Sequence, residues 1–485
     1  MKLIINGLLI GCSTFTFQVP SLAEPEPKTT TLFSQSRHLL SQKAPVFTKA
    51  QATPSITDPE EVLEIVSSLE KTWEGQYANH FDLSFSSSES TDDISPNVRT
   101  IQTSLVTPTA VEQNLKKGRE LTQSRAAFIW MNAYPDYLRI TISTETKTQV
   151  YDINISRIEV ITQVERLVKS IKHPYLSPKN DYLPPAQKLY EWMIQPLAST
   201  LEKDQIDSLI FCLGKGLRLL PLAALHDGET FLVEKYAVSR LPAFSLTDMT
   251  AESLKTPNIL AMGASEFEEL ISLPAVPIEL NTIVVEDGNG ESFLNRNFTL
   301  NNLTSQLETE PFEIVHLATH AKIESGKPKN SYIQFWNEQL NLDEVPRLSK
   351  ETGWSNIQLL VLSACETAVI NQENNRIDEQ VEMSFAGLAL QAGVKSVIAS
   401  SWDVSDQGTL GLMAQFYEEL PTAPTKTIAL QRAQLALLNQ NVRLEGKTLS
   451  NLRSSEPLPE SLFSRQQEFS HPYYWATFTV IGNPW

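Results

Sequence analysis

From Leu183 onward the sequence alternates short, almost wholly apolar runs with stretches of helical periodicity, and this alternation restricts the fold more than any other feature. The apolar runs stand at 208–213, 259–262, 312–318, 359–364 and 396–401, and helical patterns recur at 185–201, 300–307, 383–392, 408–420 and 428–438. Runs this short, without polar alternation, suit strands buried on both faces. Strands separated by helices imply a mostly parallel sheet with right-handed crossovers and helices on either side. The expected fold class is α/β: a three-layer sandwich around a mostly parallel central sheet. The closing Tyr474-Trp-Ala-Thr-Phe-Thr-Val-Ile-Gly482 suits a last strand.

Upstream the pattern differs. Residues 24–55 are rich in Ser, Thr, Pro, Lys and Gln without periodicity and read as a flexible tether. Asp58-Pro-Glu-Glu then opens a helix, with Asp58 as cap and Val62, Ile65 and Leu69 as its apolar stripe. Residues 84–97 read as a polar loop and 109–125 as a second helix. The alternating runs 126–131 and 138–142 read as strands joined by a turn at Tyr134-Pro-Asp136. A small α/β subdomain over 56–180 is therefore expected before the main unit at 181–485. No period of about 34 residues recurs, so a helical-repeat array is not expected.

At the amino end, Lys2 precedes an apolar stretch over 3–17, and Ser21-Leu-Ala23 offers small residues for cleavage. Residues 1–23 are expected to act as a secretory signal that sends the chain to the periplasm or beyond the cell. The alternative is lipid attachment at Cys12, within Leu9-Ile-Gly-Cys12. No later stretch reaches the roughly 18 apolar residues of a membrane span, so none is expected in the mature chain. A formal charge of −18 opposes binding to nucleic acid.

The three cysteines are Cys12, Cys212 and Cys365, and no C-x-x-C occurs. Neither a zinc knuckle nor a disulfide framework is available, and no metal or other cofactor is expected. Cys212, in Ser-Leu-Ile-Phe-Cys-Leu, reads as a small core hydrophobe. Cys365 instead terminates an apolar run, in Leu-Val-Leu-Ser-Ala-Cys-Glu-Thr. His320 terminates another, in His316-Leu-Ala-Thr-His320, 45 residues earlier. The functional cleft of an open α/β sheet lies outside the carboxyl ends of its strands. A thiol and an imidazole delivered there form a candidate nucleophile–base pair. The thiol needs such a base because it is mostly protonated near neutrality. Backbone N–H groups at Ala321 and Cys365 are the natural donors to an oxyanion. His316 shares the parity of His320 but lies mid-strand, which suits a structural, hydrogen-bonded histidine. Buried cysteines often do no chemistry, so a noncatalytic peptide-binding or scaffold module stays open beside the enzyme. A thioesterase or acyltransferase lacks any acyl-carrier feature in the sequence.

The segment from 183 to the end resembles a CHAT domain, a bacterial caspase-like unit of the separase and caspase superfamily. The resemblance rests on Gly216-Leu-Arg-Leu-Leu-Pro-Leu-Ala-Ala-Leu-His-Asp-Gly228, His316-Leu-Ala-Thr-His320, Leu362-Ser-Ala-Cys365-Glu-Thr-Ala, Ser384-Phe-Ala-Gly-Leu-Ala-Leu-Gln-Ala-Gly-Val, Ser400-Ser-Trp-Asp-Val-Ser-Asp406 and His471-Pro-Tyr-Tyr-Trp-Ala. It implies a cysteine endopeptidase acting on protein or peptide substrates without a cofactor. It also implies His320 and Cys365 as the dyad, with His226, His316 and His471 as scaffold or groove residues. Relatives select the residue before the scissile bond in a pocket beside the nucleophile. Asp403 and Asp406, just past the run 396–401, are candidates for an acidic wall favouring Arg or Lys. The alternative for Asp406 is to cap the helix beginning near Gly408. Segments 322–330 and 371–381 should border the cleft and suit a latch released by an activating partner or by self-cleavage. Two departures stand out. Ala321 replaces the Gly that relatives often carry, and their upstream helical repeats are missing. No calcium loop is recognisable.

Overall fold

The computed structural model describes residues 53–81, 84–86, 100–102, 105–172, 180–250, 254–284, 290–322, 328–364, 393–402, 405–445, 447–452, 458–462 and 468–485. Its centre is a single sheet of 11 strands. In chain order these are β1 (Ala126–Ala133), β2 (Leu138–Ser143), β3 (Thr148–Ile153), β4 (Ser208–Leu213), β5 (Ala237–Leu241), β6 (Ile259–Gly263), β7 (Gly290–Leu294), β8 (Ile314–Thr319), β9 (Leu359–Ala364), β10 (Ser396–Ser400) and β11 (Phe478–Gly482). Across the sheet they run β3-β2-β1-β4-β5-β11-β10-β9-β8-β6-β7. Pairing is parallel except at β1–β2, β2–β3 and β10–β11. The antiparallel seam at β10–β11 divides the sheet, and the strands β6 to β10 all run one way.

Alternation along each strand builds two apolar layers, as a sheet buried on both faces requires. Ile314 and Ala318 of β8, with Leu359 and Val361 of β9 and Ile398 of β10, belong to one cluster. Val315, Leu317, Leu360, Leu362, Val397 and Ala399 belong to another on the opposite face. In the first half of the sheet, Ala127, Ile129 and Met131 join the first cluster, while Ala126, Phe128 and Trp130 face a third.

Helices cover both faces. Helices α1 (Pro59–Phe81) and α2 (Pro108–Thr122) pack on the third cluster through Val62, Val66, Leu69, Trp73, Val111 and Leu115. Helices α3 (Arg157–Lys172), α4 (Leu183–Met193), α5 (Val276–Ile283), α8 (Asp406–Glu419) and α9 (Lys426–Leu438) supply the first. Helices α6 (Leu300–Thr309) and α7 (Val345–Glu351) supply the second. The result is the expected three-layer α/β sandwich on a mostly parallel sheet.

The strands expected at 208–213 and 359–364 match β4 and β9 at both ends. Asp58 opens α1 as expected, its Oδ1 accepting from the Glu60 and Glu61 N–H groups. The upstream strands β1 and β2, with the unassigned β3, are hydrogen-bonded into the central sheet through the β1–β4 pair. The helix expected at 185–201 breaks after Met193 into the 3₁₀ turn Gln195–Leu197 and the helical turn Ala198–Lys203, where Pro196 removes a backbone donor. Of the expected closing strand, Tyr474 and Trp475 end the helical turn Pro472–Trp475 instead, and pairing begins only at Phe478. Within the expected loop 84–97, Ser84–Ser86 pairs in parallel with Thr100–Gln102. The signal expected over 1–23, all of the tether expected over 24–55 except its last three residues, the helix at 383–392 and the segment 371–381 lie outside the described residues. At the tether's end, Ser55 donates its N–H to the Val150 carbonyl of β3 at 2.8 Å.

Candidate active site

The site starts with two neighbouring strands of equal reach. The parallel register of β8 and β9 runs from Ile314↔Leu359 to Thr319↔Ala364, so both strands end at the same level. His320 and Cys365 are the next residues in sequence. Cys365 itself lies outside the described residues, as does Asp403.

His320 leaves β8 into a small antiparallel sheet formed by Ala321–Lys322, Tyr332–Gln334 and Gln339–Asn341. Two bonds fix this exit. The Gln334 N–H donates to the His320 carbonyl at 2.9 Å, and the Thr319 hydroxyl donates to the Gln334 carbonyl at 2.6 Å. Antiparallel ladders alternate, so the Gln334–His320 bond turns the N–H of Ala321 away from its partner Ile333.

The imidazole is half-buried and held from the loop between β6 and α5. Its Nε2 lies 2.7 Å from the Ile271 carbonyl, and the Phe267 ring packs against it at 4.7 Å and 60°. A carbonyl oxygen only accepts, so Nε2 carries a proton in this bond. In the neutral ring Nδ1 is then the basic nitrogen. The same loop exposes Leu270 and Ile271 to solvent.

Beneath the strand ends lies a buried polar network. His316 is fully buried, with Nε2 at 3.0 Å from Glu279 Oε1 and Nδ1 at 3.1 Å from the Tyr417 hydroxyl. The hydroxyl of Ser363, on β9, donates to the same Glu279 oxygen at 2.6 Å. Burial first, and then the Glu279 charge, push the Tyr417 phenol well above its ordinary range, so it keeps its proton. His316 is thus hydrogen-bonded on both nitrogens, as its mid-strand position suggested.

Asp406 adjoins this network. Its Oδ2 accepts from the Ala275 N–H at 3.0 Å, just ahead of α5. Burial, with a further contribution from Glu279, raises its pKa to about 6 against the lowering effect of the Ala275 bond. It does not cap α8: the cap is Ser405, whose hydroxyl accepts from Gly408 N–H at 3.1 Å, and Asp406 is the first helical residue. The β10 end is tied to β11 by Thr477, whose hydroxyl accepts from the Ser401 and Trp402 N–H groups.

His226 and His471 lie in an aromatic cluster with Tyr182, Phe231 and Trp475. His471 caps the turn at Pro472–Trp475 by accepting from Tyr473 N–H, and stacks edge-on against Tyr182 at 5.0 Å. Burial lowers its pKa to about 4. His226 accepts from Gly228 N–H and packs on Phe231 at 4.8 Å, and its pKa is likewise lowered by burial. Cys212 is fully buried in β4, its Sγ 3.3 Å from the Pro242 carbonyl. Among the described residues no group of three or more His, Cys, Asp or Glu side chains could hold a metal ion.

Sequence reasoning missed the Ile271 carbonyl, Phe267, Glu279 and Tyr417. A backbone acceptor leaves no compositional trace. Glu279 leaves one, because it is the sole charge in Leu-Pro-Ala-Val-Pro-Ile-Glu-Leu. A lone carboxylate among apolar residues signals a buried partner.

No curated protein matches the sequence. Among solved structures, a chain of the Saccharomyces cerevisiae separase–securin complex is similar at 9% identity and a TM-score of 0.44, over 77% of this chain and 31% of that one. A chain of the complex of Porphyromonas gingivalis RgpB pro- and mature domains is similar at 10% identity and a TM-score of 0.34, over 67% of this chain and 75% of that one. The CHAT domain family model matches residues 183–483, more than half of the sequence. The chain belongs to the CHAT domain family.

Proposed function

We propose that this protein is a cysteine endopeptidase with Cys365 as nucleophile and His320 as base. The observation that carries the proposal is the register that ends β8 and β9 level at Thr319 and Ala364, with the His320 Nε2 engaged by the Ile271 carbonyl. Nδ1 takes the thiol proton, and the thiolate attacks the scissile carbonyl carbon. The N–H groups of Ala321 and Cys365 receive the oxyanion, and the turned-away Ala321 N–H favours this role. The C–N bond then breaks as His320 returns the proton to the leaving amine, and water hydrolyses the thioester. No metal or cofactor enters this sequence.

Cleavage after Arg or Lys is part of the proposal. Asp403 is assigned to the substrate-facing wall, because the Asp406 carboxyl is buried against Ala275. The enzyme is exported by residues 1–23 and held latent by the segment 371–381 until a partner protein engages it; both features rest on the sequence alone. Among the described residues no helix is long and apolar enough to cross a membrane.

The test is hydrolysis of a mixed fluorogenic peptide library under reducing conditions by the purified protein and its Cys365→Ala variant. Hydrolysis is expected only from the parent, faster after Arg or Lys than after Leu, Met or Asp. A preference that survives Asp403→Asn removes Asp403 from the pocket. Hydrolysis retained by Cys365→Ala removes the dyad. Specific peptide binding without hydrolysis by either protein selects the noncatalytic module.

A further inference from the structure

Helix α5 and the loop before it reach His320, β8, β9 and α8 through polar bonds. The loop before it offers the Ile271 carbonyl to His320. Its entry residue Ala275 donates to Asp406 of α8. Its middle residue Glu279 receives His316 of β8 and Ser363 of β9 on one oxygen, Oε1, at 3.0 and 2.6 Å. His316 is four residues before His320 in the sequence, and Ser363 is two before Cys365.

A carboxylate buried to this degree is costly unless hydrogen-bonded, and bonds to an ionised acceptor are about twice as strong as neutral ones. Glu279 lies on the face of the sheet where apolar side chains would pack without cost, because Val276, Leu280 and Ile283 of the same helix do so. With Glu279 ionised, the carboxylate accepts from the His316 Nε2–H and the Ser363 O–H, and His316 Nδ1 accepts from Tyr417. Every polar atom named then has a complementary partner, and the geometry has a single arrangement. The backbone ladder from Ile314↔Leu359 to Thr319↔Ala364 sets the register of β8 and β9. A shared acceptor adds a side-chain tie across that ladder close to where the dyad residues follow.

We infer that Glu279 is a positioning residue for the dyad, tying β8 to β9 through His316 and Ser363 while the loop before α5 orients His320. The inference rests on the peptidase reading of Cys365 and His320, and its test is chosen to separate the two. Glu279→Gln keeps the shape and removes the charge, whereas Ser363→Ala removes one bond and is the milder change for folding. For each variant the readouts are kcat and KM on the best peptide, the rate of Cys365 alkylation by iodoacetamide followed on its own peptide, and the melting temperature. Both variants should lower kcat by about tenfold or more with KM within about twofold, the signature of lost alignment rather than lost binding. Alkylation of Cys365 should slow in step. The double variant should be no slower than the slower single variant, because both act through the one Glu279 carboxylate. Variants that melt as the parent does and alkylate at the parent rate overturn the inference. So does a parent whose Cys365 reacts no faster than in His320→Ala. A parent that cuts no peptide, yet whose His320-dependent alkylation slows in Ser363→Ala, loses the peptidase reading and keeps the positioning role.

Discussion

Ionising Asp406 works against the fold, because its carboxyl sits away from water beside Glu279 with the Ala275 N–H as its bonded donor. Its pKa is 3.8 ordinarily and about 6 in the folded chain. Between those values the folded state binds more proton than the unfolded one, so this group's contribution to stability falls as pH rises. It is fully present below about pH 4 and lost as pH rises through about 6. Two pKa units correspond to about 3 kcal/mol. Asp406→Asn keeps an oxygen for Ala275 and has no charge to desolvate. Its stability relative to the parent should therefore improve by about 2–3 kcal/mol between pH 4 and pH 7.5. Urea midpoints of the two proteins across that range measure the difference, in which carboxylates remote from Asp406 cancel. A difference that stays flat with pH would remove burial as the cause.

Helix α1 carries a buried polar anchor, Glu70, among its apolar contacts. The Glu70 carboxylate accepts from the Trp130 indole at 2.7 Å, from Phe244 and Ser245 N–H, and from the Ser245 hydroxyl. Burial pushes its pKa up and these four bonds pull it down. Glu70→Gln replaces one acceptor oxygen with an NH₂ that must face N–H donors. The expected loss is about 2 kcal/mol, and native-state hydrogen exchange should show it first along α1. Equal loosening of all helices would make Glu70 a general core residue instead. The same physics decides what the sequence disclosed. Strands β4 and β9 were readable to the residue because burial on both faces makes their runs uninterrupted. Strand β7, Gly-Glu-Ser-Phe-Leu, has no buried residue and sits at the sheet edge, so it left no such run. Helix α5 spans only eight residues and carries Pro277 and Glu279, which break its apolar stripe. The strand-end position of His320 was legible from where its apolar run stops. The Ile271 carbonyl that orients His320 was not, because it depends on a loop path rather than on a side chain.

The two halves of the sheet are joined by its last strand, not by the chain's own sequence of elements. β11 pairs with β10 from Ser396↔Gly482 to Ser400↔Phe478 and with β5 at Val480↔Ser239 and Ile481↔Arg240. Asn483 extends the joint, its N–H donating to Lys395 and its amide to the Asp248 and Thr250 carbonyls. Gly482 sits where this joint is tightest. Its φ of +103° is one that side chains rarely adopt, and an added Cβ would approach the Lys395 carbonyl to 2.5 Å. Gly482→Ala must therefore move β11 against β10, at an expected cost of about 2 kcal/mol or more. If β11 couples the halves, amide protection should fall together in β4 and β5 on one side and in β9 and β10 on the other, because opening the joint exposes both. Loosening confined to β8–β10 would mean that the half bearing His320 folds on its own and uses the other only as a neighbour. Parallel loss would mean that the alignment of β8 with β9 draws on the whole sheet, and a change at Gly482 should then reach the proposed peptide hydrolysis without touching any residue of the site.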